Sequence, residues 1–220
     1  MGLIGLARKT VHSVTQPRLV VLMFLCAFLA IVVVALLVAA ITWLTAGLVT
    51  LEHHWLDTTI NWLVGIISGI GGWFMLPVLV VLISGAFQEI TIHRVELAEY
   101  PEKVRTREPG FWTDIVHDIR FTLKAVGLNL LVLPFYFIGI GFVLSVLLNS
   151  YLLGREFFEA AAGYHLGKPM ARELGRRNRK QVYSSGFVIT LLTLLPIANL
   201  FVPIIAVVWM VHLYHGLEKS

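Results

Sequence analysis

The sequence predicts an all-α integral membrane protein: two long transmembrane helices, then two re-entrant helical hairpins that enter the bilayer part-way and return. Three observations predict it. The 220 residues are 58% hydrophobic with a mean hydropathy of +0.83, so the chain is organised by a bilayer and not by a water-excluded core. Four runs carry no Asp, Glu, Lys or Arg: between Arg18 and Glu52, from Thr58 to Gln88, from Ala125 to Gly154 and from Gln181 to Leu217. Each exceeds the roughly 20 residues that cross a hydrocarbon core as a helix. The last two runs are interrupted alike, since Leu130 to Tyr151 reads LLVLPFYFIGIGFVLSVLLNSY and Leu191 to Tyr214 reads LLTLLPIANLFVPIIAVVWMVHLY. Each has an apolar run, Leu-Pro, a second breaker (Gly139 and Gly141, or Pro203) and another apolar run. Backbone groups freed at bilayer depth must hide in protein or line a wet cavity, and paired broken segments point to a transport site.

Charge sets the topology. Three cations precede the first span (Arg8, Lys9, Arg18), six lie between Glu89 and Lys124, seven between Arg155 and Lys180, and none between Leu51 and Asp57. The positive-inside rule then puts both termini and both long polar segments in the cytoplasm, with Glu52 to Asp57 outside. The last two apolar runs therefore start and end on the same side. Two full spans need about 40 residues and a turn, more than either run offers, so each forms a hairpin. With net charge +4 and pI near 9.4, the positives sit beside membrane ends; they fit anionic headgroups and predict no nucleic-acid partner.

The elements follow in order within one membrane domain, 1–220. Residues 1–18 form an interfacial cytoplasmic segment, apolar at Leu3, Ile4, Leu6 and Val11. Thr15, Gln16 and Pro17 start the first transmembrane helix, 19–51, with Thr or Gln as its cap. Asp57, Thr58 and Thr59 read as the next cap. Segment 58–97 holds a Gly-rich break at Gly71 and Gly72, then a second transmembrane helix from about Pro77 that continues into the cytoplasm. Gly65 and Gly69 form a GxxxG pair suited to close helix approach. Tyr100 to Gly110 is a loop. The first hairpin with its flanking helices is 112–166, a basic cytoplasmic link is 167–180, and the second hairpin is 181–217.

Chemistry-bearing motifs are sparse. There is no P-loop, GxSxG elbow, HExxH or histidine box, so neither ATP hydrolysis nor other enzymatic activity is expected, and no cofactor. His212 and His215, spaced i, i+3 with no carboxylate or third ligand close in sequence, read as interfacial anchors and not as metal ligands. His53 and His54 read as an outside pair, and the single Cys26 as a small packing residue. An anion route wants backbone amides and a few cations. The candidates are Arg8 at the entrance, Arg155 at the first hairpin's exit beside Glu156 in sequence, Asn149 in apolar surroundings, and Asn199 at the second hairpin's turn. Half-inserted hairpins leave irregular backbone that a second protomer can cover, so a homo-oligomer is expected.

Asn149 to Glu159 (NSYLLGREFFE), Leu195 to Pro203 (LPIANLFVP), Met210 to Leu213 (MVHL) and Val14 to Pro17 (VTQP) together resemble the CysZ-like sulfate transport proteins, within the etoposide-induced membrane protein domain family. The resemblance spans nearly the whole chain. It implies a bacterial inner-membrane protein, oligomeric, that admits sulfate or a related oxyanion for cysteine synthesis, by transport or as a channel. It also implies anion handling by the segment before the first span, which adds His12, Thr15 and Gln16 to the candidates. There the chain departs from the family's Gly-x-Arg element, since alignment on ThrGlnPro puts Thr10 and His12 in its place. A non-transporting scaffold or lipid-interacting protein of the same fold is the alternative. Transport predicts a polar cavity lined by both hairpins; a scaffold predicts the same interior packed dry.

Overall fold

The computed structural model describes residues 2–48, 54–103 and 111–218. Residues 51–53 of the Leu51 to Asp57 connection, including His53, and residues 104–110 of the Tyr100 to Gly110 loop lie outside them. Every regular element among the described residues is helical: α1 (Leu3–Val14), α2 (Pro17–Leu48), α3 (His54–Ala86), α4 (Gln88–Glu99), α5 (Phe111–Val132), α6 (Gly141–Leu166), α7 (Lys168–Arg177), α8 (Arg179–Thr193), α9 (Pro196–Asn199) and α10 (Val202–Glu218), with short 3₁₀ turns at Pro101–Lys103 and Leu133–Tyr136. Contacts divide the chain into two compact units, Val21–Ala86 and the remainder, Met1–Val20 with Phe87–Ser220.

The smaller unit holds most of α2 and all of α3. Within α2, Pro17–Leu44 is long and apolar enough to cross a membrane. The expected break at Gly71 and Gly72 is absent, for α3 runs unbroken from His54 to Ala86. Gly72 serves packing instead: a Cβ there would stand 2.8 Å from Val34 Cγ1 and 3.2 Å from Val38 Cγ2 of α2. That contact accounts for a glycine in a helix interior, where it costs ~1 kcal/mol relative to alanine. Among the described residues a Cβ at Gly65 or Gly69 would meet nothing within 4 Å, so no close approach among them uses the GxxxG pair. The helix begins at His54, ahead of the Asp57 expected to cap it, and it ends at Ala86 instead of continuing to Leu97. Phe87, at φ −96°, ψ 4°, separates α3 from α4, and its carbonyl accepts from both the backbone N–H and the hydroxyl of Thr91.

In the larger unit both interrupted runs become broken helices. After α5, Pro134 and a turn at Gly139 (φ +81°), which suits a residue without Cβ, lead into α6. After α8, Pro196 begins the single turn of α9 before α10. In each, the helices flanking the break, α5 with α6 and α8 with α10, pack on each other. The segments also meet between α6 and α8, where glycines bring backbones together. A Cβ on Gly186 would stand 2.0 Å from the Ser150 carbonyl oxygen and 2.6 Å from Gly154 Cα, and one on Gly154 would stand 2.7 Å from the Val182 carbonyl oxygen. α10 is buried from Val202 to His215 except at the half-buried Ile205, and packs on α1, α4, α6 and α8. The link at 167–180 is mostly a helix, α7, started by Pro169 after Gly167 (φ +76°).

Candidate functional site

The α6–α8 crossing leaves a cavity on one side. It has a volume of about 750 Å³ and is lined by Lys124 of α5, Tyr151, Arg155, Phe158 and Glu159 of α6, Arg172, Gly175 and Arg176 of α7, and Arg179, Lys180, Val182, Tyr183 and Ser184 of α8. Six of these side chains are cations and one is a carboxylate. Arg155 is held in place. Its Nε donates to Glu159 Oε1 at 2.5 Å and its Nη2 to Oε2 at 3.4 Å, and its guanidinium lies 4.7 Å from the Phe121 ring centroid. The paired side chains are only 12% and 6% exposed. The sequence neighbour Glu156 is therefore not the partner: i, i+4 places Glu159 on the same helix face as Arg155, whereas i, i+1 points Glu156 away, exposed at a separate groove with Asn129 and Tyr136. Lys124, Arg172, Arg176, Arg179 and Lys180 are exposed.

A second polar region lies inside the packing of α1, α4, α6 and α10. Tyr100, after α4, stacks on His215 at 4.1 Å between centroids, and its hydroxyl is 2.9 Å from His212 Nδ1. His212 Nε2 is 2.9 Å from Ser13 Oγ, which is 3.4 Å from Glu99 Oε1. One tautomer serves every bond: Tyr100 donates to Nδ1, Nε2–H donates to Ser13, and Ser13 donates to Glu99. Burial, with the charge of Glu99, pushes the Tyr100 phenol up to about 12, which keeps that proton in place.

Beyond Tyr100, Glu96 Oε1 accepts from His165 Nε2 at 2.6 Å and His215 Nε2 at 3.0 Å. Burial raises the Glu96 carboxyl, but the bonds and charge of the two imidazoles outweigh it and hold Glu96 below its ordinary value. His212 and His215 are thus not interfacial anchors, being 0% and 1% exposed. Glu218 follows His215 by three residues in the sequence, but Glu96 and His165 were not legible as partners because they arrive from other helices. Glu96 did carry a signal: it shares the face of α4 with Ile92 and Val95, and all three are buried.

The expected anion-handling residues other than Glu156 fall into three places. Arg8 and His12 are exposed on α1, and His12 Nε2 is 3.9 Å from Glu99 Oε1. The Thr15 hydroxyl donates to the carbonyls of Val11 and His12, closing the end of α1 instead of capping α2, and the Gln16 amide donates to Glu99 at 3.1 Å. Asn149 is half-buried on α6, two residues before Tyr151 and outside the cavity's lining, while Asn199 is half-buried at the end of α9. Only Arg155 of the eight lines the basic cavity. The remaining cations there were read as membrane anchors, because sequence gives no sign that α5, α7 and α8 turn them toward one space.

The sequence profile of the family described as Sulfate transporter CysZ/Etoposide-induced protein 2.4 matches residues 6–203. No curated protein and no solved structure matches the chain.

Proposed function

Because the chain belongs to the sulfate transporter CysZ/etoposide-induced protein 2.4 family, we propose that it admits sulfate or a related inorganic oxyanion across the bacterial inner membrane for assimilation into cysteine, as a transporter or channel. The observation that carries this reading is the basic cavity, lined from both interrupted segments through Arg155 on one and Arg179, Lys180 and Ser184 on the other. Arg guanidinia match oxyanions in fork geometry. Because all the lining cations but Arg155 are exposed, they attract a dianion without the full desolvation that would trap it. Arg155, braced by Glu159 and Phe121, is the fixed point of the site. Asn149 extends it along α6, and Asn199 offers an amide at the second break. Arg8 and His12, on the cytoplasmic side as well, form the entrance on α1, with Thr15 and Gln16 positioning the turn between α1 and α2.

In this reading α2 and α3 span the bilayer, and both broken segments enter it part-way from the cytoplasm. Helices α8 and α10, of 15 and 17 residues, are about 22 and 26 Å long at 1.5 Å per residue, short of a ~30 Å hydrocarbon core. The tips of the two broken segments are apolar and bare, with Phe137 93% and Ile138 67% exposed on the first and Ile197 77% on the second, as suits residues that meet lipid or a second copy of the chain. A homo-oligomer covers the irregular backbone there.

The test is uptake of labelled sulfate into proteoliposomes, comparing wild type, Arg155→Ala, an Arg176→Gln/Arg179→Gln pair and empty vesicles. Uptake competed by unlabelled sulfate and reduced several-fold in the variants supports the proposal. Absence of flux from folded, inserted protein overturns it and favours the scaffold reading, to which the dry α6–α8 crossing at Gly154 and Gly186 also belongs.

A further inference from the structure

We propose that Glu96, His165 and His215 form a binding site for one divalent transition-metal ion of the zinc type, tying α4, α6 and α10 together. The three residues lie 50 or more positions apart in sequence, yet a ligating atom from each lies within 4.8 Å of the other two. Both imidazole Nε2 atoms point at one carboxylate oxygen, Glu96 Oε1. Two imidazoles and a carboxylate select zinc-like ions over magnesium or calcium, which prefer all-oxygen shells.

Several further observations point to a ligand and not to a finished hydrogen-bond network. Glu96 is 0% exposed, and among the described residues its ion-pair partners are the two histidines, with no Lys or Arg. Its second oxygen, Oε2, is buried without a hydrogen-bond partner, a costly state for a carboxylate. A divalent ion offsets the buried charge and gives Oε2 a role in bidentate coordination. The rings are held in place, His165 stacked on Tyr214 at 5.4 Å and His215 on Tyr100 at 4.1 Å. His215 Nδ1, buried and without a hydrogen bond, faces Glu218 Oε2 at 3.5 Å. Glu218 is held in turn by Lys103 and by the Tyr214 hydroxyl. A carboxylate behind the far nitrogen of a ligating histidine fixes its tautomer and raises its basicity, the usual support of a bound metal.

The fit needs three ligating atoms, now within 4.8 Å of one another, to settle around one ion. Donors around a tetrahedral ion with bonds of about 2.0–2.1 Å stand about 3.3 Å apart, against the 2.6 and 3.0 Å between the imidazoles and Glu96 here. A small turn of the carboxylate opens that gap, and water completes the shell. Among the other sites, the basic cavity belongs to the transport reading, and the Ser13–His212–Tyr100 chain is already satisfied by its hydrogen bonds.

The test uses the tag-free full-length protein in detergent, stripped with chelator and titrated with Zn²⁺ and with Co²⁺ as a spectroscopic probe. Elemental analysis after desalting gives stoichiometry, visible Co²⁺ absorption reports ligand geometry, and thermal midpoint reports the tie between helices. One equivalent per chain, a midpoint raised by Zn²⁺ and lowered by chelator, and a visible cobalt spectrum are expected. Glu96→Gln, which keeps the shape of the side chain, is expected to weaken binding at least 100-fold. Glu218→Gln is expected to weaken it about 10–100-fold while leaving the three ligands in place. Substoichiometric binding to folded wild type, or binding unchanged in Glu96→Gln, overturns the site. Sulfate uptake need not change in either case, so this outcome stands apart from the transport test.

Discussion

Gly186 of α8 lies against the Ser150 carbonyl of α6 so closely that a Cβ would stand 2.0 Å from that oxygen. The two interrupted segments are joined at a backbone contact. Ser150 and Ser185 beside it are fully buried, and Gly154 completes the crossing. Small residues at such crossings let backbones approach where lipid supplies no hydrophobic drive between helices.

Gly186→Ala therefore forces the helices apart. A loss of about 1–3 kcal/mol is expected for overpacking, toward the upper end because the atom met is backbone. Gly65→Ala and Gly69→Ala, where nothing lies within 4 Å, are expected within ~0.5 kcal/mol of wild type. Thermal unfolding monitored by size-exclusion in detergent checks both, and equal midpoints for Gly186→Ala and Gly65→Ala refute the tight crossing.

Arg155→Met leaves the buried Glu159 carboxylate without its guanidinium, which costs about 3–5 kcal/mol when one partner of a buried pair is removed. The double variant Arg155→Met/Glu159→Gln is expected to recover most of that stability and none of the anion uptake. A double-mutant cycle on thermal midpoint, run beside the flux assay, separates bracing from binding.

The exposed cations around the cavity behave differently. Arg172→Gln, Arg176→Gln and Arg179→Gln are each expected to change stability by less than ~0.5 kcal/mol, while raising the sulfate concentration at half-maximal uptake. Raising ionic strength in wild type with a non-permeant salt imitates them, because screening acts on exposed charges. Unaltered concentration dependence in the triple variant would remove these residues from the route.

Tyr100→Phe deletes the hydroxyl beside His212 Nδ1 but keeps the ring stacked on His215. A cost of about 1 kcal/mol is expected. Ser13→Ala removes the group at the other nitrogen and is expected to cost a similar amount. The pair is expected to be non-additive, since both hydroxyls serve one imidazole.

Insertion of the breaks is measurable with single cysteines at the tips. In a Cys26→Ser background, which lacks the chain's one thiol, Phe137→Cys and Ile197→Cys carrying a fluorophore are expected to be quenched by brominated lipid and to resist impermeant maleimide from either side. Rapid labelling of either tip by aqueous reagent would overturn part-way insertion.

The all-helical character, the two interrupted segments and the positions of their breaks at Pro134 and Pro196 were legible in the sequence, because each depends on neighbours a few residues apart: runs without charge, and prolines that lack a donor. Family membership was legible in short motifs of the same kind. The continuity of α3 was not, since local glycine preference at Gly71 and Gly72 competes with a contact to Val34 and Val38 that exists only once α2 packs there. The partners of charge were decided by tertiary structure. Sequence set Arg155 beside Glu156, while the helix face gave it Glu159. Sequence left His212 and His215 at an interface, while the packing of α1, α4, α6 and α10 buried both and brought them Tyr100 and Glu96. A hydrophobic run is a property of the chain, but desolvation and close charge pairing depend on which distant helices arrive, and only the folded arrangement fixes that.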